Sequence, residues 1–126
     1  MTPDKVANKA CRAYVQDRTE FTGSNLFSHR RVVGKSPHST TVYTVYSYNY
    51  HYPMFIYVDG VGWFENEDRY TLSNGDYSRS TERQRSHAHP LTDTTKLSTH
   101  AMKLLDDRGY TSLIEWRLHS HADIHH

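Results

Sequence analysis

The sequence predicts an α+β domain in which a small antiparallel sheet of about three to five strands, with a tyrosine-rich central hairpin, packs against an N-terminal helix and one or two C-terminal helices. Three observations predict this class. A tyrosine-rich extended stretch occupies the middle of the chain, apolar residues recur at helical spacing towards both ends, and 126 residues suffice for one hydrophobic core. Residues 1–126 are therefore expected to fold as a single domain.

The N-terminal segment, residues 3–17, is predicted to be a helix. Pro3 suits the first helical position, Thr2 can cap the helix, and apolar residues recur at helical spacing as far as Tyr14. Cys11 lies on this apolar stripe, so we interpret it as a small buried hydrophobe rather than a nucleophile. Because it is the only cysteine, no intramolecular disulfide can form, and a reducing cytoplasm is the expected compartment.

The sheet region is predicted over residues 40–72. Its strands, preceded by a short strand at Arg31–Val33, are Thr40–Tyr50, Met54–Val58, Gly62–Glu65 and Arg69–Leu72. Asp59-Gly60 between apolar runs indicates a type I′ hairpin turn, in which both central residues have positive φ. The strand Met54–Val58 is apolar on both faces and is therefore expected to lie centrally in the sheet.

Tyrosine recurs at every second position in the first long strand, at Tyr46, Tyr48, Tyr50 and Tyr52. In one continuous strand all four rings would share a face of the sheet. Such a ladder forms either a wall of the core or a platform for binding. No catalytic signature elsewhere in the chain decides between the two.

A basic loop is predicted over residues 77–90. The run SRSTERQRSHAHP holds Ala88 as its only apolar residue and ends at Pro90, which indicates an exposed segment.

The C-terminal region, residues 93–121, is predicted to be helical. A first helix is expected to stop at Gly109. Over residues 112–120, a second short helix and a strand are both compatible with the pattern. The tail, residues 119–126, is rich in histidine.

The net charge is close to zero. Fifteen Lys and Arg against fourteen Asp and Glu give +1 with histidine neutral, which argues against binding to nucleic acid or an acidic membrane by bulk charge. No stretch approaches the ~20 apolar residues needed to cross a bilayer, so we expect no membrane association.

Between Val42 and Leu91 the chain combines a tyrosine-rich strand, a proline followed by apolar residues, an acidic turn, Trp63 before Glu-Asn, and a Ser/Thr and basic run ending near His-Pro. This combination resembles a family of small uncharacterised domains from bacteriophage and mobile-element proteins. The resemblance implies a viral origin, and hence the cytoplasm of an infected bacterium, but no activity and no residue roles. The pattern falls on polar or aromatic side chains at Tyr46, Tyr48, Trp63, Asn66, Tyr70, Ser80, Thr81, Arg83 and His87.

We predict a non-enzymatic binding protein, encoded by a phage, that contacts a host or viral protein as an inhibitor, accessory or anti-defence factor. Tyr, Trp and Arg are enriched at interaction hot spots. The predicted surface joins the tyrosine ladder to the basic loop and comprises Tyr46, Tyr48, Tyr50, Trp63, Tyr70, Arg79, Arg83, Arg85 and His87. Homo-oligomerisation is a related prediction, since an uncovered edge strand as aromatic as residues 42–52 invites pairing with a second copy.

Two alternatives use the same residues differently. In the first, the tyrosines stack nucleobases, and Arg30, Arg31 and the arginines of the basic loop contact phosphates, giving a nucleic-acid-binding module. In the second, clustered histidines form a metal-dependent enzyme, for which the weak candidates are His87, His89, His119 and His121. No cofactor, native metal site or catalytic residue is predicted, because the chain has no nucleophile elbow and no phosphate-binding glycine loop.

Overall fold

A computed structural model describes residues 4–47, 52–69 and 79–124. The predicted α+β class is confirmed, but the described residues contain seven strands in one sheet, so the predicted number of strands is too low. The strands are β1 Asp4–Val6, β2 Phe21–Gly23, β3 Leu26–Val33, β4 Thr40–Ser47, β5 Pro53–Val58, β6 Gly62–Asn66 and β7 Thr95–Leu97. The helices are α1 Arg12–Asp17, α2 Arg79–Ala88, α3 Thr99–Arg108 and α4 Tyr110–Ile124, with a short 3₁₀ turn at Asn8–Ala10.

The sheet is mixed, and its strands lie side by side in chain order. Strands β2 to β6 form an antiparallel meander, whereas β1 pairs with β2 and β7 pairs with β6 in parallel. Helix α2 lies in the connection between β6 and β7, as expected of a crossover between parallel strands. No helix in the described part of the chain is long and apolar enough to span a bilayer.

Helices cover both faces of the sheet. The face towards α1 and α2 buries Val15, Tyr43 and Phe55, among others. The opposite face buries Ile56 against Met102, Leu105 and Leu113 of α3 and α4. Residues of β5 enter both cores, which confirms its predicted central position.

The predicted N-terminal helix is wrong over its first half. Residues 4–6 form β1, whose backbone pairs with β2 from Asp4↔Phe21 to Val6↔Gly23, and only Arg12–Asp17 is α-helical. Sheet pairing here overrides a helical pattern whose apolar stripe is narrow. Cys11 is fully buried, as predicted.

The predicted sheet boundaries need three corrections. The long strand predicted over residues 40–50 ends at Ser47 in the described residues, and its register shifts between Val45 and Tyr46. Strand β3 is much longer than the predicted short strand, and β2 and β7 were not predicted. In the turn after β5 only Gly60 has positive φ (81°), so Asp59-Gly60 is not a type I′ turn. The predicted strand over residues 69–72 lies, apart from Arg69, outside the described residues.

The predicted basic loop is wrong for residues 79–88, which form α2. Thr81, Gln84 and Ala88 are buried and recur at helical spacing, so the inward face of this helix is made of polar and small side chains. The spacing of large apolar residues therefore does not predict a helix whose buried face is polar and small. Arg12 of α1 donates to the carbonyls of Ser86 and His89, which satisfies the C-terminal end of α2.

The C-terminal region predicted to be helical, residues 93–121, is helical from Thr99 onwards. Helix α3 begins at Thr99, later than predicted, because Ser98 caps it by accepting from the N–H of Ala101 and the preceding residues form β7. It ends before Gly109, whose φ is 93°. Over residues 112–120 the structure is helical, and the strand alternative is wrong.

Candidate functional site

The tyrosine ladder does not form one face in the described residues. Tyr46, the last but one residue of β4, lies on the α3 side of the sheet, where it is fully buried. Tyr52 precedes β5 and is buried with Cys11 and Val15 on the opposite side. The ladder prediction fails for these two rings because β4 ends at Ser47, before Tyr52, in the described residues. Tyr48 and Tyr50 lie outside the described residues.

Tyr46 belongs to a polar cluster around the buried carboxylate of Asp106. The hydroxyls of Thr44 and Tyr46 donate to Asp106 at 2.7 and 2.5 Å, and Nη2 of Arg31 lies 2.9 Å from Oδ2. Burial, together with the hydrogen bond to Asp106, raises the pKa of the Tyr46 phenol well above its usual range. Tyr46 is therefore a proton-bearing donor, which suits a structural role better than that of a base or nucleophile.

Arg85 and Tyr52 meet on the other face, in a cluster around Glu65. Arg85 lies 3.3 Å from Glu65 Oε2 and donates to the Tyr52 hydroxyl at 2.6 Å and to the backbone carbonyl of Asn66. Its side chain is only 15% exposed. Arg85 is thus committed to acceptors of its own chain.

Glu65 also accepts from Lys96 at 2.9 Å and from Thr94 at 2.8 Å, and His89 lies 3.5 Å from it. Burial alone would raise the pKa of Glu65, but the hydrogen bonds from Lys96 and Thr94 and the nearby positive charges outweigh it, so the pKa is lowered. The carboxylate is therefore ionised and balanced by cations, as in a structural ion-pair network.

Of the other sequence candidates, His89 and the backbone carbonyl of Asn66 join the Glu65 cluster, and the rest are placed as follows. Trp63 is buried between Tyr43 and Tyr57, and Thr81 is buried in α2. Asn66 is buried beneath Thr99, whereas Ser80 and Arg83 are exposed on α2 and His87 is half-buried. Tyr70 and the side chains of Arg79, His119 and His121 lie outside the described residues. Within the described chain, no group of three His, Cys, Asp or Glu side chains could hold a metal ion.

Cys11 is not placed for nucleophilic chemistry. It is buried, its thiol lies 3.6 Å from the carbonyl of His87, and burial raises its pKa to about 11.

The structure reveals a surface that the sequence predictions missed, which is the outer edge of β3 from His29 to Val33, called here the β3 edge. Strand β2 pairs with β3 only around Thr22↔Phe27, so beyond this point no described strand covers the outer side of β3. Its inner side pairs with β4 along its whole length.

The backbone groups at this edge can be assigned from the ladder. The N–H of Arg30 points outwards, since it donates to the Glu20 carboxylate at 2.8 Å. Backbone groups alternate sides along an antiparallel strand, so the N–H and C=O of Val32 also point outwards. No described backbone group pairs with them.

Three consecutive side chains flank these groups. Arg30 and Arg31 point to opposite faces and are 50% and 42% exposed, and Val32 is 67% exposed. Arg30 lies 3.8 Å from Asp59, whereas Arg31 is held by Asp106. A sheet edge that serves no binding function is usually protected against aggregation. Such an edge does not usually expose an apolar side chain between open main-chain groups, as β3 does at Val32.

An open cleft of about 570 Å³ lies where β3 ends, between the β3–β4 turn and the junction of α3 and α4. It is lined by Gly34, Lys35, His38, Asp107, Arg108, Thr111, Ser112 and Glu115. Gly34 has φ of 89°, and a Cβ there would lie 3.3 Å from the carbonyl of Arg108, so the turn and helix junction approach closely. Because both signs of charge line the cleft, it selects no single class of ligand.

The sequence did contain a signal for the β3 edge. Arg31–Val33 was predicted as a strand with basic residues beside it. That this strand is open on one side depends on the shortness of β2, which local patterning does not encode.

No family model matches the chain, and no curated protein and no solved structure matches it either.

Proposed function

We propose that the chain is a non-enzymatic binding protein that takes an extended segment of another protein onto the β3 edge. The strongest support comes from Val32. Its N–H and C=O point outwards and have no backbone partner among the described residues, and its apolar side chain is exposed. Adding a strand to an open sheet edge is a common mode of peptide recognition, in which main-chain hydrogen bonds give affinity and side chains give specificity.

The binding strength available at this edge is moderate. Arg30 and Val32 offer about three open main-chain groups to an added strand, which are both carbonyls and the N–H of Val32, each contributing roughly 1 kcal/mol net, whereas the N–H of Arg30 is already bonded to Glu20. Burial of the Val32 side chain adds about 1 kcal/mol, since it is already partly covered. These terms fit a reversible contact formed by a short segment, and flanking side chains must supply the specificity.

A second copy of the chain is a poor occupant of the same edge. Two β3 strands pairing with each other would bring two arginines from each copy into one short ladder without any added carboxylate, and in a register centred on Arg30 or Arg31 like charges would lie directly opposite each other, which is destabilising. We therefore place the binding partner in a different protein. A phage origin and a host or viral target stay predictions.

The test blocks the edge while preserving the ladder. Val32→Pro removes the outward N–H without removing a bond to β4, and the control Val32→Thr keeps this N–H in a strand-forming residue. Circular dichroism and thermal unfolding first check that the two variants and the parent chain are folded. Each protein is then used to select binding peptides from a random linear peptide library displayed on yeast.

We expect peptides that the parent chain and Val32→Thr retain and that Val32→Pro loses. A library from which the parent selects nothing, or selected peptides that Val32→Pro binds equally well, would overturn the proposal.

A further inference from the structure

We infer, on the basis of the proposed function, that the segment taken by the β3 edge is acidic and that it displaces Glu20, an internal competitor for the same backbone group. The expected pattern is two adjacent acidic residues opposite Arg30 and Arg31 and an apolar residue opposite Val32.

The first step of the argument is the present occupant of the edge. Glu20, just before β2, places Oε2 2.8 Å from the N–H of Arg30 and 3.7 Å from Nδ1 of His29. An added strand needs this N–H for its own carbonyl. Because the Glu20 side chain is 43% exposed, it can swing into solvent without opening the core.

The second step is the charge that an added strand would meet. Arg30 and Arg31 point to opposite faces, so adjacent residues of an added strand, which also alternate, can each place a carboxylate beside one guanidinium. Each guanidinium carries five donors. Among the described residues, the Arg30 guanidinium has only a long contact, of 3.8 Å, to Asp59, and Arg31 uses Nη2 towards Asp106, so both keep donors for a further carboxylate.

The third step is the local effect of displacing Glu20. Once its carboxylate leaves, the negative charge that lies 3.7 Å from His29 and 2.8 Å from the backbone nitrogen of Arg30 moves away, and the edge becomes more positive. Displacement thus favours an acidic segment over a neutral one. A basic segment would place like charges beside Arg30 and Arg31 after the Glu20 carboxylate has left, so its binding is disfavoured.

The experiment uses the peptides selected above, resynthesised in pairs in which each Glu or Asp is replaced by Gln or Asn. Binding is measured by fluorescence anisotropy at low and high salt. The loss of two opposite-charge pairs across strands lowers affinity about tenfold. The peptides in which Gln or Asn replaces Glu or Asp should therefore bind about tenfold more weakly. Glu20→Ala should strengthen binding of the acidic peptides by about threefold or more. The control Glu67→Ala, at an exposed position next to β7, should leave their binding unchanged.

The outcomes separate this inference from the proposed function. Selected peptides that depend on Val32 but are neutral or basic, or whose affinity is unchanged by Glu20→Ala, would overturn the inference and leave the function standing. If no peptide binding depends on Val32, the proposed function itself fails. A dimer of the parent chain that sedimentation detects and Val32→Pro abolishes would make the occupant a second copy and overturn the inference.

Discussion

Replacing Asp106 with alanine should lower the free energy of unfolding by about 4 kcal/mol. The carboxylate is the common acceptor of two buried hydroxyls, at 2.7 Å from Thr44 and 2.5 Å from Tyr46. Each hydroxyl loses a bond to a charged acceptor, which costs about 2 kcal/mol. Arg31 adds less than about 1 kcal/mol, because its side chain is 42% exposed and water replaces the carboxylate.

The neighbouring residue provides a matched control. Asp107 is 71% exposed and lies 3.9 Å from Arg31, so Asp107→Ala should cost less than about 0.5 kcal/mol. Urea unfolding, followed by circular dichroism and tryptophan fluorescence, measures both changes. Tyr46→Phe should cost about 1.5 kcal/mol in the parent chain and much less when Asp106 is already alanine.

Two results would refute this reasoning. Equal effects of Asp106→Ala and Asp107→Ala would mean that the buried carboxylate contributes nothing special. Additive effects of Tyr46→Phe and Asp106→Ala would mean that the two side chains are not coupled.

Three further predictions concern the opposite face. Glu65→Gln should destabilise the domain by about 2 kcal/mol near neutral pH. Because the folded-state pKa of Glu65 is lowered, its stabilisation is complete above the ordinary value of 4.5 and is lost as the pH falls through the folded-state pKa. The urea midpoints of the parent chain and Glu65→Gln should therefore converge as the pH falls below 4.5 and through the folded-state pKa, and a constant gap would contradict the ionised network. Arg85→Ala should lower the free energy of unfolding by about 3 kcal/mol, since several acceptors lose their donor. Arg83→Ala, on the exposed side of α2, should change the urea midpoint little. The reverse order would refute the structural role assigned to Arg85. Cys11 should react with a thiol reagent only slowly until urea unfolds the chain, because it is buried and its pKa is raised to about 11; rapid labelling of the native protein would contradict this.

Elements with large apolar residues in regular spacing were predictable from the sequence. Strand β5 is apolar at nearly every position, which indicated a central strand, and the helix ending before Gly109 followed from its apolar stripe and its stop signal. In both cases burial of apolar surface dominates the local free energy.

Elements whose position depends on distant partners were not predictable in this way. Helix α2 buries the polar side chains of Thr81 and Gln84. This polar face points inwards only because α2 packs against α1 and the sheet. Strand β1 exists because β2 is beside it.

The candidate site was predicted only in part. A period of two placed Tyr46 and Tyr52 on one face of a continuous strand, but β4 ends at Ser47, Tyr46 is buried beside Asp106, and Tyr52 is buried in the core on the other side of the sheet. The arginines of β3 were visible in the sequence. Their position on an open edge depends on how far β2 extends, which is a tertiary property.

Residue-resolved amide exchange, measured by NMR on the chain alone and with a selected acidic peptide, tests the central claim most directly. In the free chain the N–H of Val32 should exchange rapidly, while those of Arg31 and Val33, which face β4, should exchange slowly. The peptide should slow exchange at Val32 and leave Arg31 and Val33 unchanged. A Val32 amide already as protected as its neighbours in the free chain, or protection on binding that appears only away from Arg30 and Val32, would contradict an open and functional β3 edge.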